Sequence, residues 1–262
     1  KDFLIFIKRV PGADRKEIIW DYFKSNPNPM ALIKALEIDE SGNLKDETAL
    51  VYILSAIKAN NALKSPHKLN LNGFDKDNNT ALMQLAKQGH FNSIKILVNA
   101  GSALNIQDRF DRRTALMKAA GKGHTEIVEV LLAAGADHDI RGRFDWTALI
   151  EAAGRGHTGT VKVLLAAGAD PDTQGLRNGS AALIEAAGKG HTGTVKVLLA
   201  AGANPNIQGR YGMTALMKAV GMGQTETVKA LLAGGADPNI QDQHGRTVSI
   251  DGASNGKTYR FH

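Results

Sequence analysis

Residues 114–137, TALMKAAGKGHTEIVEVLLAAGAD, decide the fold of this chain. Thr114 is a residue type that caps helix N-termini, and the apolar residues after it recur at helical spacing, so they predict a first helix that ends at Gly-Lys-Gly. A second helix is predicted from Thr125 to about Ala134, where Gly135 stops it. Its inward side chains are Ile127, Val128, Leu131 and Leu132. The stretch therefore predicts a helix–turn–helix unit with two narrow apolar faces.

The same unit recurs along most of the chain at intervals of 33 or 34 residues. The predicted first helices start at Thr80, Thr114, Thr147, Ala181 and Thr214, with a decayed copy at Thr247. A Gly-His pair follows at a fixed offset in the first four units and becomes Gly-Gln in the next. One such helix pair cannot bury its apolar faces alone, so neighbouring units must stack into a solenoid with a continuous thin core.

The repeated pattern Thr-Ala-Leu-x-x-Ala-Ala-x-x-Gly-His, followed by Leu-Leu-x-x-Gly-Ala-Asp, closely resembles the ankyrin repeat over about residues 80–262. The resemblance implies an all-α solenoid of helix–turn–helix units with β-turn fingers, in about five clear repeats plus degenerate terminal units. The proline that the family usually has after the Thr is Ala at positions 81, 115, 148 and 215. The family's first-helix His is Met or Ile at positions 83, 117, 150, 184 and 217. Both replacements are apolar and compatible with a helix, so the predicted fold stands.

The ends of the chain are less regular than its middle. We interpret residues 1–46 as an N-terminal helical cap or extension, with a separate small domain as the alternative. Residues 47–79 are interpreted as a degenerate first repeat, 80–246 as the regular repeats, and 247–262 as a truncated terminal unit. Because the chain begins with Lys1 rather than Met, we expect it to be a piece of a longer protein.

Composition excludes several classes of site. The 262 residues contain no cysteine, so disulfides, thiolate metal sites and a Cys nucleophile are excluded. No apolar run approaches the roughly 20 residues that a membrane helix needs. The net charge of +6 and the pI of about 9.4 suit an acidic partner without choosing among protein, membrane surface and nucleic acid.

Three motifs suggest chemistry and are better explained by the repeat. The G-x-G-x-x-G strings at Gly154–Gly159 and Gly188–Gly193 lie between two predicted helices, whereas a dinucleotide site needs a strand before the helix. Gly256-Lys257-Thr258 lacks the upstream glycine of a phosphate-binding loop. The histidines come one per repeat, and the family resemblance implies that each braces its loop to the neighbouring unit. We therefore predict no catalytic residue, no cofactor and no metal, and we expect that the chain is not an enzyme.

The binding surface is predicted from the positions that vary between repeats. The resemblance implies that the finger tips before each Thr and the exposed positions of the first helices line the concave face. Among them, Phe110, Phe144, Trp146 and Tyr211 are large aromatics in segments of turn residues, and aromatic and Arg side chains are enriched in binding hot spots. The predicted partner-binding residues are Phe110, Arg113, Lys118, Arg143, Phe144, Trp146, Glu151, Arg155, Arg177, Glu185, Lys189, Arg210, Tyr211, Met213 and Lys218.

These observations favour a protein–protein interaction scaffold or adaptor that binds a partly acidic peptide or loop in the concave groove and is monomeric alone. With Glu151 and Glu185 at the centre, we expect one basic or amide-bearing contact there. A trimethyl-lysine held by Trp146, Phe144 and Glu151 is a sharper alternative. Two more functions stay open: the targeting arm of a larger enzyme, such as a bacterial effector, and a receptor for a phosphorylated small ligand or nucleic acid, the latter being disfavoured. The resemblance implies a cytoplasmic site of action, or the host cytosol or nucleus for a secreted effector.

Overall fold

The computed structural model describes residues 71–75, 77–175, 179–251 and 258–261. Over these residues the chain forms five helix pairs followed by a short pair of strands. The pairs are α1 (Ala81–Gln88) with α2 (Phe91–Asn99), α3 (Ala115–Ala120) with α4 (Thr125–Ala133), α5 (Ala148–Ala153) with α6 (Thr158–Ala166), α7 (Ala182–Gly188) with α8 (Thr192–Ala200), and α9 (Ala215–Gly221) with α10 (Thr225–Ala233). A single 3₁₀ turn, Arg210–Gly212, precedes α9, and the strands are β1 (Val248–Asp251) and β2 (Thr258–Phe261). The predicted all-α solenoid is confirmed.

A threonine starts four of the five first helices. The hydroxyls of Thr80, Thr114, Thr147 and Thr214 each accept a hydrogen bond from the backbone N–H three residues later. At α7 the position is Ala181, which has no side-chain cap. The four caps satisfy backbone donors that would otherwise lack a partner at the helix start, as the sequence predicts.

The core is one continuous cluster that runs along the stack from Leu71 to Val248. Each first helix packs against the next first helix, and each second helix against the next second helix. The small residues of the Ala-Ala pairs, such as Ala119 and Ala120, are fully buried and permit this close approach. The sequence predicts such a thin core, filled by Ala, Leu and Val.

Glycine and histidine interlock at three of the four joints between the five described helix pairs, and Gln224 replaces the histidine at the fourth. A side chain at Gly123 would place its Cβ 2.6 Å from Nδ1 of His157, and Gly123 has a φ of +74°. The His157 ring therefore occupies the space over the glycine, and its Nε2 lies 3.3 Å from the carbonyl oxygen of Gly121. The same contact recurs at Gly89 with His124 and at Gly156 with His191. The prediction that the histidines brace one unit against the next is confirmed for His124, His157 and His191.

The second helices are joined by paired threonine hydroxyls. Oγ1 of Thr125 lies 2.9 Å from Oγ1 of Thr160, and the distance is 2.8 Å between Thr158 and Thr194. A third pair, Thr192 with Thr227, has a distance of 2.7 Å. Because the inner member of each pair is buried, the hydrogen bond satisfies a hydroxyl that burial would otherwise leave without a partner.

The last unit is completed by strands. β1 and β2 pair antiparallel, with Val248 opposite Phe261, and both contact α9. The hairpin lies where the first helix of a further repeat would stack, so it covers that end of the array. The β-rich Val-Ser-Ile and Tyr-Arg-Phe segments explain why a strand forms here. The predicted cap or extension at 1–46, and all but the end of the degenerate repeat at 47–79, lie outside the described residues, and the domain boundaries stay predictions.

Candidate functional site

The fingers are tight turns, and three of them are organised around one carboxylate. Oδ1 of Asp108 accepts hydrogen bonds from the backbone N–H groups of Phe110 and Asp111, and Oδ2 lies 2.6 Å from Nζ of Lys118. Asp75 and Asp242 accept backbone N–H bonds in their own turns in the same way. In the other three fingers this position is a glycine: Gly142, Gly175 and Gly209. The fingers are therefore of two kinds, with and without an internal charge.

The hydrogen bonds of these finger turns lower the pKa values of Asp108 and Asp75. Burial would by itself raise the pKa of Asp108, but the hydrogen bonds from Lys118 and from the two backbone amides outweigh burial and lower that pKa below its ordinary value. For Asp75 burial likewise opposes the shift, and the bonds from Asn79, Gln84 and Asp77 lower its pKa. Each group is thus held ionised as part of its turn.

One position of each first helix lies beside the fingers, and its side chain pairs with the finger of its own unit or of the preceding one where a contact is present. It is occupied by Gln84, Lys118, Glu151, Glu185 and Lys218 in successive units. Gln84 donates from Nε2 to Oδ2 of Asp75 at 3.0 Å, as Lys118 does to Asp108. Where the finger has glycine instead of aspartate, two of the three helix residues are glutamates, so the carboxylate moves from the finger to the helix.

Glu151 is a correction to the predicted site. Its side chain is 2 % exposed. One carboxylate oxygen lies 2.8 Å from a guanidinium nitrogen of Arg113 in the preceding finger, and the other is bound by Arg155. Both carboxylate oxygens are therefore bound by arginines of two successive units, a pairing that we call the Glu151 clamp. The carboxylate is not available to a basic partner group or a trimethyl-lysine.

Trp146 is a second correction. Its indole is half-buried and packs against the core, and Nε1 is buried without a hydrogen-bond partner among the described atoms. Met213 also packs partly into the core. The finger position before the helix cap therefore supports the fold, whereas the tip of the turn is the exposed part.

Three of the predicted aromatics do lie at exposed tips. Phe110 is 65 % exposed, and Phe144 and Tyr211 are each 50 % exposed. The guanidinium of Arg143 lies 5.7 Å from the centre of the Phe144 ring, and that of Arg210 lies 4.5 Å from the Tyr211 ring. Arg–aromatic pairs thus recur on separate fingers at the distance of cation–π contacts.

The remaining predicted cations differ in how far they are committed to internal contacts. Nζ of Lys189 donates to the carbonyl of Gly154 at 2.8 Å, and Arg113, Lys118 and Arg155 are paired with carboxylates. Glu185 is half-buried and accepts from the hydroxyl of Ser180 at 2.7 Å. Arg177 lies outside the described residues.

We call the surface formed by the finger turns and the exposed side of the first helices the finger face.

A cleft opens at the C-terminal end of the finger face. It has a volume of about 530 Å³ and lies between the last two fingers. Its lining includes Arg210, Tyr211, Met213, Met217, Lys218 and Met222, together with Gln243, His244 and Arg246 of the last finger. An equivalently placed cleft three units earlier, lined by Glu151 and Arg155, has a volume of about 130 Å³ because the Glu151 clamp crosses it.

Comparison with known proteins now decides the family. The sequence pattern of the family described as "Ankyrin repeats (3 copies)" matches residues 53–142, 82–175 and 149–242. The chain belongs to the ankyrin repeat family. Among curated proteins, none matches the chain. Ankyrin repeats are generally protein–protein interaction modules, so this array is a candidate binding surface rather than a fold without a known use.

Side-chain amides of Gln and Asn also form hydrogen bonds between successive fingers of the ankyrin array, which the sequence patterns above did not predict. Nε2 of Gln107 donates to the carbonyl of Arg141, and Nε2 of Gln208 donates to the carbonyl of Gln241, so each glutamine reaches the next finger. Oδ1 of Asn105 accepts from the N–H of Asp137 in the next unit. The signal was present: Asn-Ile-Gln recurs at 105, 206 and 239.

Metal binding and membrane insertion find no support in the described part of the array. No group of three or more His, Cys, Asp or Glu side chains within the described ranges is placed to hold a metal ion. None of the helices found there has the length and apolarity needed to cross a bilayer.

Proposed function

We propose that this ankyrin array is a non-catalytic protein-binding module that takes an extended segment of its partner along the finger face. The observation that carries the proposal is the row of exposed aromatic rings, two of them stacked with an arginine, on separate fingers. Every large apolar side chain that the described residues expose lies on or beside a finger or at the end of a first helix: Phe74, Phe110, Phe144, Tyr211 and Met222.

Such exposure is informative because another finger aromatic turns toward the core. Trp146 is half-buried, with its ring packed against the core. Phe110, one finger earlier, has its ring mostly in solvent. Exposed aromatic and Arg side chains, gathered on one surface, are the composition of binding hot spots.

The charges suggest how the partner is oriented. In the middle of the finger face Arg113 and Arg155 are neutralised by Glu151, and Lys118 by Asp108. Toward the C-terminal end, Arg210 and Lys218 have no carboxylate within ion-pair distance among the described residues. A partner segment with apolar contacts along its length and its acidic groups at one end fits this distribution.

The perturbed carboxylates favour a binding module over a catalytic site. Asp75, Asp108 and Asp242 all have a pKa lowered below the ordinary value, and each accepts backbone N–H groups of its own finger turn. Perturbed pKa values cluster at active sites, but structural ion pairs and hydrogen bonds also produce them. Here the hydrogen bonds give each carboxylate a structural role.

A peptide-display experiment tests the proposal. A library of random peptides is panned on the wild-type array, and the affinities of the selected peptides are measured by fluorescence anisotropy. The finger-face variant carries Phe110→Ser, Phe144→Ser and Tyr211→Ser. The matched control carries Glu129→Ser, Lys162→Ser and Lys196→Ser, three exposed positions on second helices.

We expect the finger-face variant to bind the selected peptides at least about tenfold more weakly, because truncated hot-spot residues each cost more than about 1 kcal/mol. The control should stay within about twofold of wild type, since surface substitutions away from the site change little. Far-UV circular dichroism checks that both variants are folded. Equal affinity for wild type and the finger-face variant would refute the proposal.

A further inference from the structure

The cleft at the C-terminal end of the finger face combines a glycine in its finger with a lysine on its first helix, and no other described helix pair has both. In the unit that contains α3, Lys118 has its charge neutralised by Asp108 at 2.6 Å. Lys218 occupies the same helix position three units later, but its finger has Gly209 in place of the aspartate. The described residues place no carboxylate within ion-pair distance of Lys218.

Packing between fingers excludes the aspartate at Gly209. A Cβ there would lie 2.9 Å from the carbonyl oxygen of Gly179 in the preceding finger and 2.9 Å from Cδ1 of Ile184. Because backbone stands in the way, an acidic side chain cannot be accommodated without a shift of the fingers. The close packing of the two fingers thus prevents an aspartate at position 209 from neutralising the charge of Lys218.

Tyr211 is held at the mouth of the cleft in an unusual backbone conformation. Its φ is +63°, and that of Gly212 is +74°. The residues that precede the helix start by the same distance in other described fingers, such as Asp111, Phe144 and His244, do not have a positive φ. A bulky side chain in the left-handed region is an outlier, and such strain clusters where a protein clamps a ligand.

The interior of the cleft is apolar and adaptable. Met217 is buried and forms its floor, Met213 is half-buried, and Met222 is 64 % exposed at its edge. Methionine is unbranched and polarisable, which suits it to surfaces that adjust to a partner's side chain. The lining therefore offers apolar contact beside a cation.

We propose that this cleft binds an acidic residue of a partner segment together with the apolar residue next to it. The carboxylate pairs with Lys218 and Arg210, and the neighbouring apolar side chain lies on the methionines under the Tyr211 ring. Charge complementarity identifies the occupant. The cleft's other arginine, Arg246, is already bound to Asp242 at 2.8 Å. The cations left for a ligand are therefore Arg210 and Lys218, which suit an acidic residue. The inference rests on the proposed function, since it names the chemistry of one subsite on the finger face.

Methionine methyl groups give a direct readout. The chain has six methionines, and three of them line this cleft. Met83 and Met117 are buried farther along the array and serve as internal references. The full-length chain is labelled with ¹³C at the methionine methyls and titrated with three probes. These are a capped peptide with one glutamate between two leucines, the same peptide with glutamine, and inorganic phosphate.

We expect the glutamate peptide to shift the methyl signals of Met213, Met217 and Met222 and to leave Met83 unshifted. The glutamine peptide should bind at least about fivefold more weakly, as loss of a charge-assisted contact requires. Lys218→Gln, a residue that the array itself uses at this position in Gln84, should weaken the glutamate peptide to a similar degree. Lys162→Gln makes the same charge change on a second helix and should have no effect.

Several results would overturn the inference. Equal binding of the glutamate and glutamine peptides would remove the role of Lys218, and phosphate that competes as well as the peptide would reduce the cleft to a general anion site. Shifts confined to Met117 would place binding at the smaller cleft. In that case the finger face would still be a binding surface, so the proposed function would survive while this inference would fail. Random peptides that bind only the second-helix surface would sink both.

Discussion

The joint between Gly123 and His157 carries the sharpest stability prediction. Gly123 and Gly135 belong to the same unit, and both have a left-handed φ, +74° and +92°. A Cβ at Gly135 would meet nothing within 4 Å, whereas one at Gly123 would lie 2.6 Å from Nδ1 and 2.9 Å from Cγ of His157. Alanine at each position therefore separates backbone strain from the loss of the joint.

Gly135→Ala should lower the free energy of unfolding by about 1–2 kcal/mol, the cost of one residue in the left-handed region. Gly123→Ala bears the same strain and must also displace the imidazole. That displacement adds about 1–3 kcal/mol of overpacking and about 1 kcal/mol for the contact with the Gly121 carbonyl. We expect Gly123→Ala to be less stable than Gly135→Ala by about 2–4 kcal/mol.

Urea denaturation of the whole chain, followed by far-UV circular dichroism, measures both variants. In a His157→Ala background the excess cost of Gly123→Ala should disappear, because the clashing ring is gone. If Gly123→Ala and Gly135→Ala are equally destabilising, or if the excess persists without His157, the Gly–His joint does not hold the units together as described.

Three further predictions concern the helix starts, the finger turns and pH. Ala181→Thr should raise the free energy of unfolding by about 0.5–1 kcal/mol by supplying the missing helix cap, and Thr214→Ala should lower it by about as much, both measured by urea denaturation; a loss of stability in Ala181→Thr would contradict the cap assignment. Arg112→Gly should be stabilising by about 0.5–1 kcal/mol in the same assay, because Arg112 has a φ of +53° that glycine adopts without strain; a destabilised variant would count against that strain. Burial, aided by the charge of Arg155, lowers the pKa of His157 below 6.5, so the unfolded chain binds the proton more readily and stability should fall as the pH drops below about 6.5. His157→Gln, which copies Gln224 at the last joint, should flatten this fall between about pH 7 and pH 5, and an unchanged slope would exclude His157 as its source.

The repeated framework could be predicted from the sequence because the same residue pattern recurs in each unit. The threonine caps, the Ala-Ala contacts and the Gly–His joints follow from local propensity and from a period that only stacking satisfies. The hairpin after Thr247 could not be predicted in that way, since it depends on β1 finding β2 across residues 252–257 rather than on a repeated pattern. The sequence predicted only that the helical pattern breaks there.

The candidate site was predictable in position and not in detail. The finger tips stand out in the sequence because they vary between repeats, but whether an aromatic turns toward the core, as Trp146 does, or outward, as Phe144 does, depends on three-dimensional packing. Glu151 reads as an exposed helix residue until the arginine of the preceding finger is placed beside it. The significance of Gly209 appears only when the fingers are compared in register with Asp108 and its lysine.

The finger face as the binding surface is tested most directly by fluorophores at single cysteines, which the cysteine-free chain permits without background. One variant carries Arg143→Cys on a finger, and the other carries Lys162→Cys on a second helix. Each is labelled with an environment-sensitive dye and titrated with a peptide selected on the wild-type array. The account predicts a saturable emission change from the dye at position 143 and none from the dye at position 162. A change at position 162 alone would contradict it.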